Sequence, residues 1–375
     1  MSGPTDACDL CLRRTALVAA LGGVLDVQWR TRGAQAAVLG LPEDVLLDLA
    51  PGDAARVATE QFDASDARRR IEAAGLWAAC RCSASYPERL RELPDPPAVI
   101  HVAGDPDALH LEDAVAVVGA RRASAYGLEV ARGLGRALSA AGVPVVSGMA
   151  LGVDSAAHAG ALEASGPTVT VLAGGADVPY PASKRQLYAR LVRRGCVVSE
   201  MPPGFRAFRW CFPARNRLIA CLGRVTVVIE AAERSGSLIT ADFAVELGRP
   251  VGAVPGHVTS RLAAGSNGLL HAGGAVIRHA TDVLDLIAAD GGAAHPRPPA
   301  ERGARDVRPE PTSPPPEPLT PELQRLLDAV EEGGGSLAAV ATTPDEARAA
   351  VRGLTELELR GLVRREFGGR YVRCA

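Results

Sequence analysis

Between Glu200 and Glu230 the chain carries Arg206, Arg209, Arg215, Arg217 and Arg224 and no acidic residue. Three of its six phenylalanines (Phe205, Phe208, Phe212) and one of its three tryptophans, Trp210, crowd into eight positions of that stretch. Guanidinium groups interleaved with rings suit an unpaired polynucleotide, whose phosphates need neutralising and whose bases can stack. The bland alternative is that the rings pack a loop and the arginines are merely solvated; the missing acids favour binding. Pro213 should open a helix, which sets Arg215, Asn216 and Arg217 in its first turns, near its positive end. A second anion site is predicted at Ser235-Gly236-Ser237, preceded by Arg234. Backbone N–H groups and hydroxyls at a helix start hold phosphates well, although a plain serine N-cap looks the same. A third is the loop Gly119-Ala120-Arg121-Arg122 with Ser124, between a strand and a helix. Ser147-Gly148 closes the next strand, and Lys184, the one lysine among 41 basic residues, follows Tyr180-Pro181. Asp154 and His158, four apart, read as a capping acid and a packed imidazole rather than as catalytic partners.

Signatures of bond-making chemistry are missing. The chain has no G-x-x-x-x-G-K-[ST], no H-E-x-x-H and no G-x-S-x-G, and Gly119 is followed by Ala-Arg-Arg rather than by a dinucleotide fingerprint. The expectation is a binding protein, not an enzyme, that needs no cofactor for its task. Of the eight cysteines, Cys8-x-x-Cys11 and Cys80-x-Cys82 could supply four thiolates to zinc, or could simply be small buried residues. The amino terminus lacks a signal peptide and no apolar run reaches the ~18 residues of a membrane span, which reads as a cytoplasmic protein with reduced thiols.

These residues need elements to hold them. β-branched runs bounded by glycine and separated by helical patterns predict strands at 115–119, 143–147, 168–173, 196–200, 225–230, 251–254 and 274–277. That alternation predicts an α/β fold with a doubly wound parallel sheet, whose binding loops lie at the strands' carboxyl ends. A short strand is expected at Ala98–Val102, and short helices at 15–25, 42–49, 53–61 and 65–74 make residues 1–80 a separate helical module before the core at 81–290. Residues 291–318, with nine prolines, read as a disordered linker. Beyond it, helices at 321–331, 337–341 and 343–359, then a hairpin with Gly368-Gly369 at its tip, predict a winged helix over 319–375. At 375 residues, with 47% hydrophobic and 22% charged residues, three globular parts are reasonable. The formal net charge is −2, so any affinity for nucleic acid must come from a local patch.

The sequence resembles the DNA-processing protein A (DprA/Smf) family. The likeness runs through VAVVGARRASAYG (115–127), SGMALGVDSAAH (147–158), LAGGADVPYP (172–181), SEMPPG (199–204), FPARNRLIACL (212–222), EAAERSGSLITADFAVELGRPVGAVPG (230–256) and GSNGLLHAGG (265–274). It implies an extended Rossmann-like domain that binds single-stranded DNA, with a small helical, SAM-like amino-terminal domain and a winged-helix tail. It further implies loading of the RecA recombinase, displacement of single-strand-binding protein during natural transformation, and a homodimer. By position it assigns DNA contacts to Arg121, Lys184 and the Arg206/Arg209 loop. Together with the residues read above, the expected interface is Gly119, Arg121, Ser147, Gly148, Lys184, Arg206, Arg209, Arg215, Asn216, Arg217, Ser235, Gly236 and Ser237. Departures are Ala173 where the family has Gly, Ala207 where it has Pro, and Leu151 where it has a basic residue. The rival reading is a nucleotide-processing, phosphoribohydrolase-like enzyme. Such enzymes carry P-G-G-x-G-T, of which only Ala173-Gly174-Gly175-Ala176 stands here. A scaffold with no nucleic-acid role is a third class.

Overall fold

The computed structural model describes residues 5–32, 39–48, 54–109, 112–164, 166–293, 319–331, 343–360, 362–365 and 371–373. Residues 1–301 form one unit and 302–375 another. The first is built on a ten-stranded sheet. Its strands are β1 (Thr5–Asp6), β2 (Trp77–Cys80), β3 (Val99–Gly104), β4 (Val115–Val118), β5 (Val145–Ser147), β6 (Thr168–Val171), β7 (Cys196–Ser199), β8 (Val225–Val228), β9 (Val251–Ala253) and β10 (Ala275–Val276). Their order across the sheet is β1-β2-β3-β7-β6-β5-β4-β8-β9-β10. From β7 to β10 every neighbouring pair is parallel, while β3 runs antiparallel to both β7 and β2. The seven strands expected from the apolar runs are all present, each trimmed by up to two residues at an end. Two were not anticipated. β1 and β2 extend the edge because Ala78 and Ala79, poor strand formers, are buried opposite His101 and Ile100.

Helices cover both faces, and this explains the uninterrupted apolar runs. Val115 and Val117 face α7 (Ala125–Ala140) and α8 (Val153–Glu163), while Ala116 and Val118 face α10 (Cys211–Leu222). Side chains of successive strand residues point to opposite faces, so a strand buried on both needs apolar residues at every position. α9 (Arg185–Arg194), α11 (Gly236–Glu246) and α12 (Ala264–His271) complete the crossovers, and α13 (Ala280–Ala289) follows the last strand.

The first eighty residues hold α1 (Asp9–Ala20), α2 (Gly22–Arg32), α3 (Glu43–Asp48), α4 (Ala54–Glu60) and α5 (Ala64–Ala73); the short α6 (Glu88–Arg91) precedes β3. The helix expected at 15–25 is thus two helices that meet at Leu21. These helices pack against α10 and the loops at the carboxyl ends of the strands. Leu17, Leu21, Leu25 and Leu46 pack with Ala173, Met201, Trp210 and Ala214.

The second unit has α14 (Pro321–Glu331), α15 (Pro344–Leu359) and an antiparallel pair, β11 (Val363–Arg365) with β12 (Tyr371–Arg373). Thr343 and Glu346 form a capping box at the start of α15, and Leu323, Leu327, Leu354, Leu357, Val363 and Tyr371 make the core. The expected helix at 337–341, the Gly-Gly hairpin tip and most of the linker (294–318) lie outside the described residues.

Candidate nucleic-acid interface

Ligands of doubly wound sheets approach the carboxyl ends of the strands where the strand order reverses. Here the reversal is at β4, with β5, β6 and β7 to one side and β8, β9 and β10 to the other. The loops 119–124, 148–152, 172–184, 200–210 and 229–235 therefore define the rim.

The amino end of α7 is already filled. The Ser124 amide and hydroxyl donate to the Glu230 carboxylate at 2.8 Å each, and the Ala120 amide donates to the Glu230 carbonyl at 2.6 Å. Ser124 Oγ in turn accepts from the Gly127 amide at 3.1 Å. A carboxylate thus occupies the positive helix end that a nucleotide phosphate takes in dinucleotide-binding folds. The expectation that the Gly119 loop holds a phosphate with its amides is corrected: Glu230 is there instead. Gly119 is needed for packing, since a Cβ on it would lie 2.7 Å from Val153 Cγ2.

A second correction concerns the β5 loop and the arginines of α10. Ser147 is buried and its hydroxyl donates to Val117 O at 2.6 Å. The Gly148 amide donates to Asp154 at 3.2 Å, and its carbonyl accepts from Arg215 Nη1 at 3.0 Å. Arg215 is only 5% exposed and also donates to Val171 O. Burial pulls its guanidinium down to about 10 against the field of Asp154. Arg217, 1% exposed, donates to Asp95 at 3.0 Å and to Glu200 at 2.8 Å. Burial alone would lower the pKa of Arg217; Glu200 and Asp95 overcome it and hold it above its ordinary value. Ser147, Gly148, Arg215 and Arg217 therefore brace the loops from beneath and do not present donors to solvent. Asn216 acts similarly, donating to Gly236 O at 3.1 Å and tying α10 to the start of α11.

What stays on the rim is smaller and better defined. Arg121 and Arg122 are exposed, and the Arg121 guanidinium lies 5.1 Å from the Phe212 ring centroid. On Phe212 leans Tyr180, with centroids 5.3 Å apart and 49% of Tyr180 exposed. Lys184, partly exposed, follows on the same loop, and Arg206 and Arg209 are exposed on the next. The remaining rings divide. Trp210 is buried, its Nε1 donating to Gly22 O at 2.9 Å, and Phe205 and Phe208 meet at 5.9 Å where the loop rests on α2. Three of the four rings in the stretch therefore pack the loop, and Phe212 alone of them lies against a rim cation. Tyr180 was not among the expected site residues; its place before Lys184 was the available clue.

The start of α11 contrasts with that of α7. Ser235 is its N-cap, accepting from the Ser237 amide, and its first turn holds no acidic residue. Arg234 and Gly236 are exposed beside it. His158 offers no base: its Nδ1 lies 2.7 Å from Thr168 Oγ1 and burial lowers its pKa to about 3. Asp154 and His158 are structural, as the sequence suggests. Among the described residues one group of metal-ligating type converges, Cys8, Cys11, Cys80 and Cys82, at the β1–β2 edge.

Comparison with known proteins points the same way. A family model described as DNA recombination-mediator protein A matches residues 77–288. A DNA processing protein DprA of Mycobacterium tuberculosis is 44% identical over 233 residues, 62% of this chain and 59% of that protein. The match thus spans less than two thirds of that relative's length. Protein Smf of Synechocystis sp. is 36% identical over 313 residues, 77% and 78% of the two chains. Among solved structures, DNA processing protein A from Streptococcus pneumoniae superposes with a TM-score of 0.60 at 32% identity, covering 74% of this chain and 95% of its own. DNA processing protein A from Helicobacter pylori, solved for its single-stranded DNA binding mode, does so with a TM-score of 0.51 at 29% identity, covering 55% and 94%.

Proposed function

We infer that this chain, which belongs to the DNA recombination-mediator protein A family, binds single-stranded DNA along the carboxyl rim of its sheet. The observation that carries this reading is the Arg121–Phe212–Tyr180 stack, flanked by Arg122, Lys184, Arg206 and Arg209. Cations neutralise phosphates, exposed ring faces take bases, and neither discriminates strongly among sequences. The open start of α11, with Arg234, Ser235 and Gly236, is a further phosphate seat. Ser147, Gly148, Arg215, Asn216 and Arg217 act as positioning residues. No bond is made or broken, and the affinity of the Helicobacter pylori relative for single strands supports the reading.

The wider role follows from the family. The protein would hold incoming single strands in the cytoplasm, displace single-strand-binding protein and load RecA, working as a homodimer. α14, α15 and the β11–β12 pair are read as a winged helix, and the amino-terminal helices as the family's small helical domain. No described helix is long and apolar enough to cross a membrane. The rival, a phosphoribohydrolase-like enzyme, is disfavoured by Glu230, whose carboxylate stands where a nucleotide phosphate would sit.

Fluorescence anisotropy with labelled oligonucleotides tests the proposal. Single strands should bind more tightly than duplexes of the same length, with the logarithm of the affinity falling linearly in log salt. Equal affinity for both, or none for either, would refute it. Incubation with nucleoside monophosphates should release no free base.

A further inference from the structure

Cys8 is the N-cap residue of α1 and Cys11 lies in that helix's first turn, while Cys80 ends β2 and Cys82 stands two residues beyond it. The parallel pairing of β1 with β2, Thr5 opposite Ala78 and Asp6 opposite Ala79, brings the two pairs together across 72 residues of chain. All four sulfurs lie within 4.8 Å of one another. Cys11 Sγ and Cys82 Sγ are 3.7 Å apart, and the Cys8 amide donates to Cys80 Sγ at 3.4 Å.

These distances discriminate among the things cysteines do. A disulfide needs sulfurs about 2.05 Å apart, and it joins two residues rather than gathering four. An iron–sulfur cluster distributes its four cysteines over two or more irons with inorganic sulfide between them, so that thiolates on different irons stand wider apart than this. One ion with metal–sulfur bonds of about 2.3 Å at the centre of a tetrahedron sets its ligands about 3.8 Å apart. The 3.7 Å pair has that spacing. Four sulfurs without an oxygen ligand among them select a soft or borderline cation over calcium or magnesium. The Cys8 amide bonded to a neighbouring sulfur is the kind of outer contact that orients metal ligands.

We propose that Cys8, Cys11, Cys80 and Cys82 bind one zinc ion as a closed tetrathiolate site that fastens the start of α1 to the end of β2. With four protein ligands no coordination position is left for substrate, so the site is structural. The positive end of α1 lies beside the thiolates and favours their charge. The clamp also bears on the rim. α1 contributes Leu17 and Val18 to the core that contains Trp210 and Ala214, so the metal secures the helices on which the 200–210 loop rests.

Metal analysis of the full chain, purified under reduction and without chelator, tests the assignment. About one zinc per chain is expected, with almost none in a Cys80→Ser/Cys82→Ser variant and full content in Cys221→Ser, whose thiol lies elsewhere. Should the double variant fail to fold, cobalt(II) titration of chelator-stripped wild-type chain decides. Intense visible bands of tetrahedral thiolate-bound cobalt, displaced by one equivalent of zinc, are expected. A metal-free native chain, stoichiometric iron in place of zinc, undiminished zinc in the double variant, or cobalt spectra without tetrahedral thiolate bands would each overturn it.

Discussion

On the rim, Arg121 and Arg122 stand exposed in a loop, and Arg121 lies over an aromatic ring. One layer down, on α10, Arg215 and Arg217 are 5% and 1% exposed; Arg215 donates through Nη1 to two carbonyls, and Arg217 is held by two carboxylates. Both sets lie by the carboxyl ends of the strands, yet they do opposite work. A guanidinium in water is free to meet a phosphate; one taken out of water needs protein acceptors in place of the solvent it has lost. The helix ends repeat the lesson. α7 is closed by Glu230 and α11 is left open behind Ser235. Positive charge or a helix start marks where an anion could sit, and the residue already seated there decides whether one does.

The sharpest way to break this division is Arg217→Ala. Removing the cation strands Asp95 and Glu200 in the interior, and stability should fall by about 3–5 kcal/mol in urea unfolding. Burial already raises Glu200 above the ordinary carboxylate range against the pull of Arg217. In the variant that folded-state pKa should climb further above its unfolded value. A group raised on folding contributes stability at low pH and loses it as pH rises, so the variant's deficit should shrink on acidification. A deficit independent of pH would place Arg217 on the other side of the comparison.

Next in size, Glu230→Ala should cost about 1–2 kcal/mol through the lost cap and at the same time open α7 to anions. Phosphate should then raise the variant's melting temperature more than it raises that of the wild type.

Arg121→Ala should leave stability nearly unchanged, whereas Phe212→Ala also takes a half-buried ring from the core under α1; both should weaken single-strand binding, by about 1–3 kcal/mol for a lost stacking platform. Arg121→Ala should also reduce the slope of log affinity against log salt by about 0.7, the amount for one phosphate contact to a single strand. The smallest effect is expected for Lys184→Ala, a similar change in slope without loss of a ring. Equal salt slopes in wild type and both cation variants would remove Arg121 and Lys184 from the interface.

Much of the scaffold is legible in the sequence. Val115–Val118, Thr168–Val171 and Val225–Val228 announce buried strands because both their neighbours' faces demand apolar residues, a demand written locally. β2 was not legible, since Trp77–Cys80 forms a strand only because β3 is there to pair with it. The interface was legible as a composition but not as a membership. Phe212 and Trp210 look alike in the chain, and only one lies against a rim cation.

The sequence by itself determined an α/β sheet, a rim rich in cations and rings, and two pairs of cysteines. Tertiary structure alone decided which arginine meets solvent, which helix end is plugged and whether the cysteines converge. The reason is the reach of the contacts involved. Arg217 finds Asp95 across 122 residues, Ser124 finds Glu230 across 106, and Cys8 finds Cys80 across 72. Strand periodicity is set by near neighbours, whereas desolvation and charge pairing depend on residues that only folding brings near.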